Sequence, residues 1–267
     1  MQQIKITPIH MARSLWCNRE LIYITTKQEV NSRYRSTILG MIWPIVTPII
    51  MLTIYTFVFS TVLKVKWSDD LGSKTEFAFL LYAGLIVFNF FAESITNSPN
   101  IIITKPNYVK KITYPLEILP VITMLTALYH TLISIGVWIA AYLLFLGMPK
   151  PTFLLLPIIL IPIANIILGL SWILASLGVY FRDITQFISL VVTALMFLSP
   201  IFYPISILPE KYRIIFYLNP ITIGVEVIRD LLFWGKITDP KILTIYWIYA
   251  VLIVWIGFAF FQKTKNG

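Results

Sequence analysis

Six stretches of this chain are each long and apolar enough to cross a bilayer: Ile38–Leu63, Phe77–Thr96, Ile118–Leu146, Phe153–Phe181, Ile184–Ile205 and Ile242–Phe261. A spanning helix needs about 20 mostly apolar residues. Within all six, Glu93 is the one Asp, Glu, Lys or Arg. Lipid offers no partner to a bare backbone N–H or C=O, so segments of this length are helices rather than barrel strands. The fold class expected is therefore all-α: a polytopic membrane protein of six helices, read as one domain over residues 1–267.

Composition agrees. The chain is 58% hydrophobic and 12% charged, with a mean hydropathy of +0.83, where a soluble domain carries about a quarter charged residues. In that setting the net charge of +9 points to headgroups and not to nucleic acid. Cys17 is the sole cysteine, which excludes an intrachain disulfide or a cysteine-based metal cluster. The first twenty residues lack the apolar core of a cleavable signal peptide. Six crossings place both termini on one side. Lys and Arg favour that side twelve to nine, six of them before the first span, so the termini are expected in the cytoplasm.

Ahead of the first span lies a charged collar. Arg13, Arg19, Glu20, Lys27, Glu29, Arg33 and Arg35 alternate with apolar residues, and Trp16, Tyr23, Val30 and Tyr34 fall on one helical stripe. This describes an amphipathic helix over about residues 13–36, lying at the interface and turning sharply into the membrane. Arg33 and Arg35 allow two readings: a plain topogenic anchor, or a site that receives the phosphates of an anionic, lipid-linked substrate, since the guanidinium fork matches phosphate.

Between the fifth and sixth stretches, Ile214–Val225 is free of charge but too short to span. It reads either as a re-entrant piece or as a helix packed on the outer face.

Four segments in order resemble one family. "KQEVNSRYRSTILGMIWPIVTPIIM", "NIIITKPNYVKKITYPLEILP", "LGVYFRDITQFI" and "LSPIFYPISILPEKYRIIFYLNPITIGVEVIRDLLFWG" together cover nearly the whole chain. They are similar to permease subunits of the ABC-2 type that export polysaccharides, leaning towards the O-antigen and teichoic-acid branch over the capsule exporters. The resemblance implies half of a transporter in the bacterial cytoplasmic membrane. It implies a homodimer, each copy docked to a separate ABC ATPase, moving a glycan carried on undecaprenyl pyrophosphate. By the same resemblance the loop around Asn100–Pro120 touches the ATPase through Lys105, Lys110, Lys111 and Glu117. Pro204, Asn219, Pro220 and Arg229 belong to an outer gate of short helices.

No phosphate-binding loop is present: "GSKTE" at Gly72–Glu76 lacks the required glycines. ATP and magnesium are thus expected on the partner subunit, no cofactor is expected here, and the chain reads as no enzyme by itself. No His-Glu spacing suggests a metal site. His130 reads as a polar group bonding a neighbouring helix within the membrane. Glu93 is a functional candidate as an ionisable residue in a span, and also a structural partner within reach of Lys105. Tyr55, Phe57 and Phe59 in the first span, with Phe197, Phe202 and Tyr203 in the fifth, are either an aromatic lining that passes sugar rings or an interfacial belt. The alternatives to a polysaccharide exporter are an ABC-2 permease for a drug or small lipid, and a membrane glycosyl- or phosphotransferase. Asp69–Asp70 is the single acidic pair available to the last. A secondary carrier predicts more buried ionisable groups than one Glu and one His.

Overall fold

A computed structural model describes residues 7–62, 74–106 and 114–265. These residues are mostly helical, with no strand among them. Two helices open the chain, α1 (Pro8–Cys17) and α2 (Arg19–Tyr34). The interface helix expected as one piece is thus two, jointed at Asn18, whose side-chain amide donates to the Ser14 carbonyl at 2.8 Å. Asn competes for backbone partners in this way, which is why it favours helix ends. The face of α2 that packs on the protein is Ile22, Thr25 and Val30. Of the expected stripe, Val30 is buried and Tyr34 half-buried, while Trp16 and Tyr23 remain 70% and 67% exposed.

The chain then bends as expected. Helix α2 stops at Tyr34, a turn follows, and Gly40 takes a positive φ of 51° before a short 3₁₀ turn leads into α3 (Trp43–Tyr55). A left-handed backbone at this corner suits glycine. Pro44 sits in the first turn, where its missing N–H is harmless. Helix α3 widens at its far end into a π-helical segment, Thr56–Val62.

Helix α4 (Lys74–Asn97) is the axis of the molecule, with every residue from Phe77 to Phe88 buried. Around it stand α5 (Ile118–Phe145), α6 (Leu156–Tyr180) and α7 (Ile184–Phe197). Two short helices, α8 (Glu210–Leu218) and α9 (Pro220–Arg229), precede the last, α10 (Pro240–Thr264). The tightest pairing is α6 on α10. Their backbones touch at Gly169 and Gly257, where a β-carbon would meet the facing carbonyl oxygens at 2.4 Å and 2.1 Å. Lipid gives helices no hydrophobic drive to associate, so small residues that admit close backbones carry the packing.

Among the described residues five helical stretches are long and apolar enough to cross a membrane: Gly40–Phe59, Glu76–Asn100, Ile118–Phe145, Pro151–Tyr180 and Pro240–Thr264. They match five of the six expected stretches. The remaining one, Ile184–Ile205, does not form a continuous helix. Helix α7 has 14 residues, about 21 Å at 1.5 Å per residue against about 30 Å of hydrocarbon. The residue before a proline avoids the helical region, and Pro200 and Pro204 supply no N–H, so the run breaks after Phe197. The multi-pass, all-helical membrane class stands. The apolar stretch Ile214–Val225 is divided at Asn219: α8 presents exposed Tyr212, Ile215 and Tyr217, whereas α9 is buried against α4 and α6.

Candidate functional site

Helix α2 is clamped to the end of α4 by two charged residues four positions apart, hence on one face. Glu29 accepts from Lys105 Nζ at 2.6 Å. One turn further on, Arg33 Nη1 donates to Glu93. The partner expected for Glu93 is Lys105. The structure instead gives Lys105 to Glu29, because the chain turns through Ser98–Asn100 and carries Lys105 past the end of α4 towards the earlier turn of α2.

Glu93 is shared. His130 Nδ1, from α5, lies 2.9 Å and 3.1 Å from its two oxygens, and His130 Nε2 lies 3.0 Å from the Tyr34 hydroxyl. A carboxylate only accepts, so Nδ1 carries the hydrogen, and in the neutral ring Nε2 accepts from Tyr34. The expected helix-to-helix bond of His130 is present, and it joins three elements. Arg33 is 39% exposed at its side chain, Glu93 25% and His130 16%. Burial works against the Arg33 charge, but its bond to Glu93 and the charge of Glu93 outweigh it, and its pKa is raised. The Tyr34 hydroxyl is also pushed up, chiefly by burial. Arg35, two residues on, is exposed and makes no hydrogen bond or ion pair among the described residues.

Of the residues expected to meet an ATPase, Lys110 and Lys111 lie outside the described residues. Lys105 is held by Glu29. Glu117, 7% exposed, accepts from Ser14 Oγ at 3.2 Å and from Lys265 Nζ at 3.4 Å, and its backbone carbonyl accepts from the Trp172 indole at 2.9 Å.

Five of the six singled-out aromatics converge. Phe59 is 6.5 Å from Phe202, ring centre to ring centre, and Phe202 is 6.1 Å from Phe197, both pairs nearly parallel. Tyr55 touches Phe59 at 6.4 Å, and the Tyr203 hydroxyl donates to the Phe197 carbonyl at 2.7 Å. Phe57 stands apart. It is 60% exposed and borders an apolar cavity of about 830 Å³ between α3 and α5, with Ile49, Leu52, Val137 and Leu144.

Beyond α7 the chain is pinned by two buried polar residues. Asn219 caps α9 by accepting from Ile221 N at 3.0 Å, and its amide donates to Ser199 Oγ at 2.9 Å. Arg229, 2% exposed, donates to the carbonyls of Leu80, Pro200 and Ile201. Burial draws the Arg229 pKa down to about 10. Pro204 is extended, and the Pro220 carbonyl accepts from the Tyr246 hydroxyl at 3.2 Å. Pro204, Glu226, Arg229, Asp230 and Trp234 border a polar cavity of about 170 Å³. Burial raises the carboxyl pKa of Glu226 and of Asp230. Pro204, Asn219, Pro220 and Arg229, singled out from the sequence, thus belong to one assembly between α7 and α10. Sequence reasoning missed Tyr34 as a site residue, and its neighbour Arg33 was the signal that would have found it.

A bundle of membrane-length helices, an amphipathic pair folded against its base and two short helices between the last spans define a membrane permease. The chain belongs to the ABC-2 type transporter family, whose model matches residues 20–233. It is similar to two O-antigen export system permease proteins RfbA of Klebsiella pneumoniae, each 29% identical over 92% of both chains. It is also similar to the protein of that name in Myxococcus xanthus, 22% identical over 97% of both.

Proposed function

We propose that this chain is the membrane-spanning half of an ATP-driven exporter of a lipid-linked polysaccharide, of O-antigen or teichoic-acid type, in the bacterial cytoplasmic membrane. The likeness to permeases named for O-antigen export, over nearly the whole of both chains, carries the reading. Two copies pair, because α3 and α7 leave apolar faces, with Ile45, Ile49, Phe187 and Leu190 exposed, that lipid or a second copy must cover. A separate ABC ATPase binds ATP and magnesium and pushes on the segment between α4 and α5. Helix α7 with the turn after it completes a sixth crossing, which keeps both termini in the cytoplasm, and α8 and α9 form the outer gate.

Arg33 and Arg35 receive the undecaprenyl pyrophosphate where the amphipathic pair meets the first span. An arginine binds phosphate through a planar, charge-assisted fork. The glycan passes the ring cluster of Tyr55, Phe59, Phe197, Phe202 and Tyr203, whose flat apolar faces suit the C–H faces of sugars. The test is charge reversal, Arg33→Glu with Arg35→Glu, in cells that make the polymer. Surface polymer is expected to vanish while cross-linked dimer is retained. Undiminished surface polymer removes both arginines from the mechanism.

A further inference from the structure

We propose that Glu93 is a built-in stand-in for the phosphate of the substrate: it occupies Arg33 at rest, and an incoming polyprenyl pyrophosphate displaces it and frees the end of α2 from α4. This rests on the reading of Arg33 as the pyrophosphate receiver.

Three observations carry it. Arg33 is only partly used. Its bond to Glu93 runs through Nη1, on a side chain that is still 39% exposed. A guanidinium has five N–H donors, so a second anion reaches the group before the first has left. Next, Glu93 is not stranded when Arg33 goes. Its two oxygens keep His130 Nδ1 at 2.9 Å and 3.1 Å, and His130 in turn keeps Tyr34 at 3.0 Å. Removing one partner of a buried charge costs most when nothing else satisfies it; here something does, so the contact is built to be exchanged. Finally, the other polar ties of the amphipathic pair do not run directly to α4. Ser14 holds Glu117, Glu29 holds Lys105 and Tyr34 holds His130, so exchange at Arg33 removes the direct bond between α2 and α4 and leaves the last turn of α2 on its α5 partner alone, just before the corner at Gly40 that leads into α3. A loaded substrate thereby loosens the base of the first span from α4, beside the path its glycan travels.

The site also offers the right surroundings for a lipid-borne anion. Exposed Arg35 stands two residues from Arg33, and Met41 and Ile42, 44% and 55% exposed, begin an apolar surface at once. A soluble anion needs only the first of these, and a prenyl chain uses both.

The experiment uses the full chain in nanodiscs of neutral lipid, titrated with farnesyl pyrophosphate. Glu93→Gln is nearly isosteric and keeps an oxygen for His130, and it is expected to bind about tenfold tighter than the parent, because the internal competitor has lost its charge. Arg33→Gln is expected to lose binding. In a Cys17→Ser background, spin labels at Ser36→Cys and Ile103→Cys, both exposed positions, report the gap between the corner and the end of α4. That distance is expected to lengthen on adding farnesyl pyrophosphate, and to be long already in Glu93→Gln. Unchanged affinity and unchanged distance in Glu93→Gln, with binding lost in Arg33→Gln, overturn the displacement while leaving Arg33 as the receiver. Undiminished binding in Arg33→Gln overturns the receiver itself. Equal response to inorganic pyrophosphate assigns the site to soluble anions and overturns a lipid-borne occupant.

Discussion

Gly257 of α10 lies so close to Gly169 of α6 that a β-carbon on Gly257 would stand 2.1 Å from the Gly169 carbonyl oxygen. No rotamer relieves a clash with backbone, so the helices must part. Gly257→Val is expected to lower the melting midpoint of the detergent-solubilised protein sharply, with a cost of about 3 kcal/mol typical of overpacking. Gly136→Ala, where nothing lies within 4 Å of the added carbon, is the control and is expected to leave the midpoint within error or raise it. Equal midpoints for Gly257→Val and the parent would sink the account of the α6–α10 pairing.

Arg229 holds two separate pieces of chain, α4 through the carbonyl of Leu80 and the turn after α7 through those of Pro200 and Ile201. Arg229→Met keeps much of the bulk and removes every donor. It leaves buried acceptors without partners, a loss of roughly 3 kcal/mol or more. Limited proteolysis is expected to cut between α7 and α9 faster in this variant than in the parent, while cutting near α1 is unchanged. A uniform acceleration at both places would mean that Arg229 supports the whole fold and not this assembly.

Glu226 gives the assembly between α7 and α10 a pH dependence. Burial raises its folded pKa above the ordinary carboxyl value, with the Arg229 charge opposing and the Asp230 charge adding. The folded state therefore holds its proton more tightly than the unfolded chain. Stability is greatest in acid and is lost as pH climbs from the ordinary value of about 4.3 through the raised one. Melting midpoints taken between about pH 4.5 and about pH 8 are expected to fall with pH in the parent and to fall less in Glu226→Gln. Asp230, raised by burial in the same way, accounts for the slope that remains. A slope unaltered by Glu226→Gln would refute the assignment.

The sequence was most legible where lipid leaves the chain least choice. Five apolar stretches appear as helices close to their expected bounds, because a backbone crossing hydrocarbon has one way to satisfy itself. The stretch Ile184–Ile205 misled because Phe202, Tyr203 and Ile205 keep it apolar beyond the point where Pro200 stops it. Hydropathy does not register a missing N–H. Asn18 was passed over for the opposite reason: one polar residue fits an amphipathic pattern and still ends a helix. The site was half legible. Arg33 stood out by its place against a charge-free run, and His130 by its depth. That both meet at Glu93 depends on how α2 lies across α4 and α5, and no spacing within one segment encodes that. The same holds for Glu117, chosen as a surface charge and found enclosed.

That enclosed carboxylate gives the molecule its keystone. Ser14 of the first helix, Trp172 of α6 and Lys265 at the close of α10 all fasten to Glu117, which stands one residue before α5 and just after the segment that leads out of α4. Parts of the chain as much as 148 positions away from Glu117 in sequence are therefore bolted to a single peg. Under the proposed function, a push on Glu117 would bear on the opening helix and the closing helix together, as one lever rather than a relay.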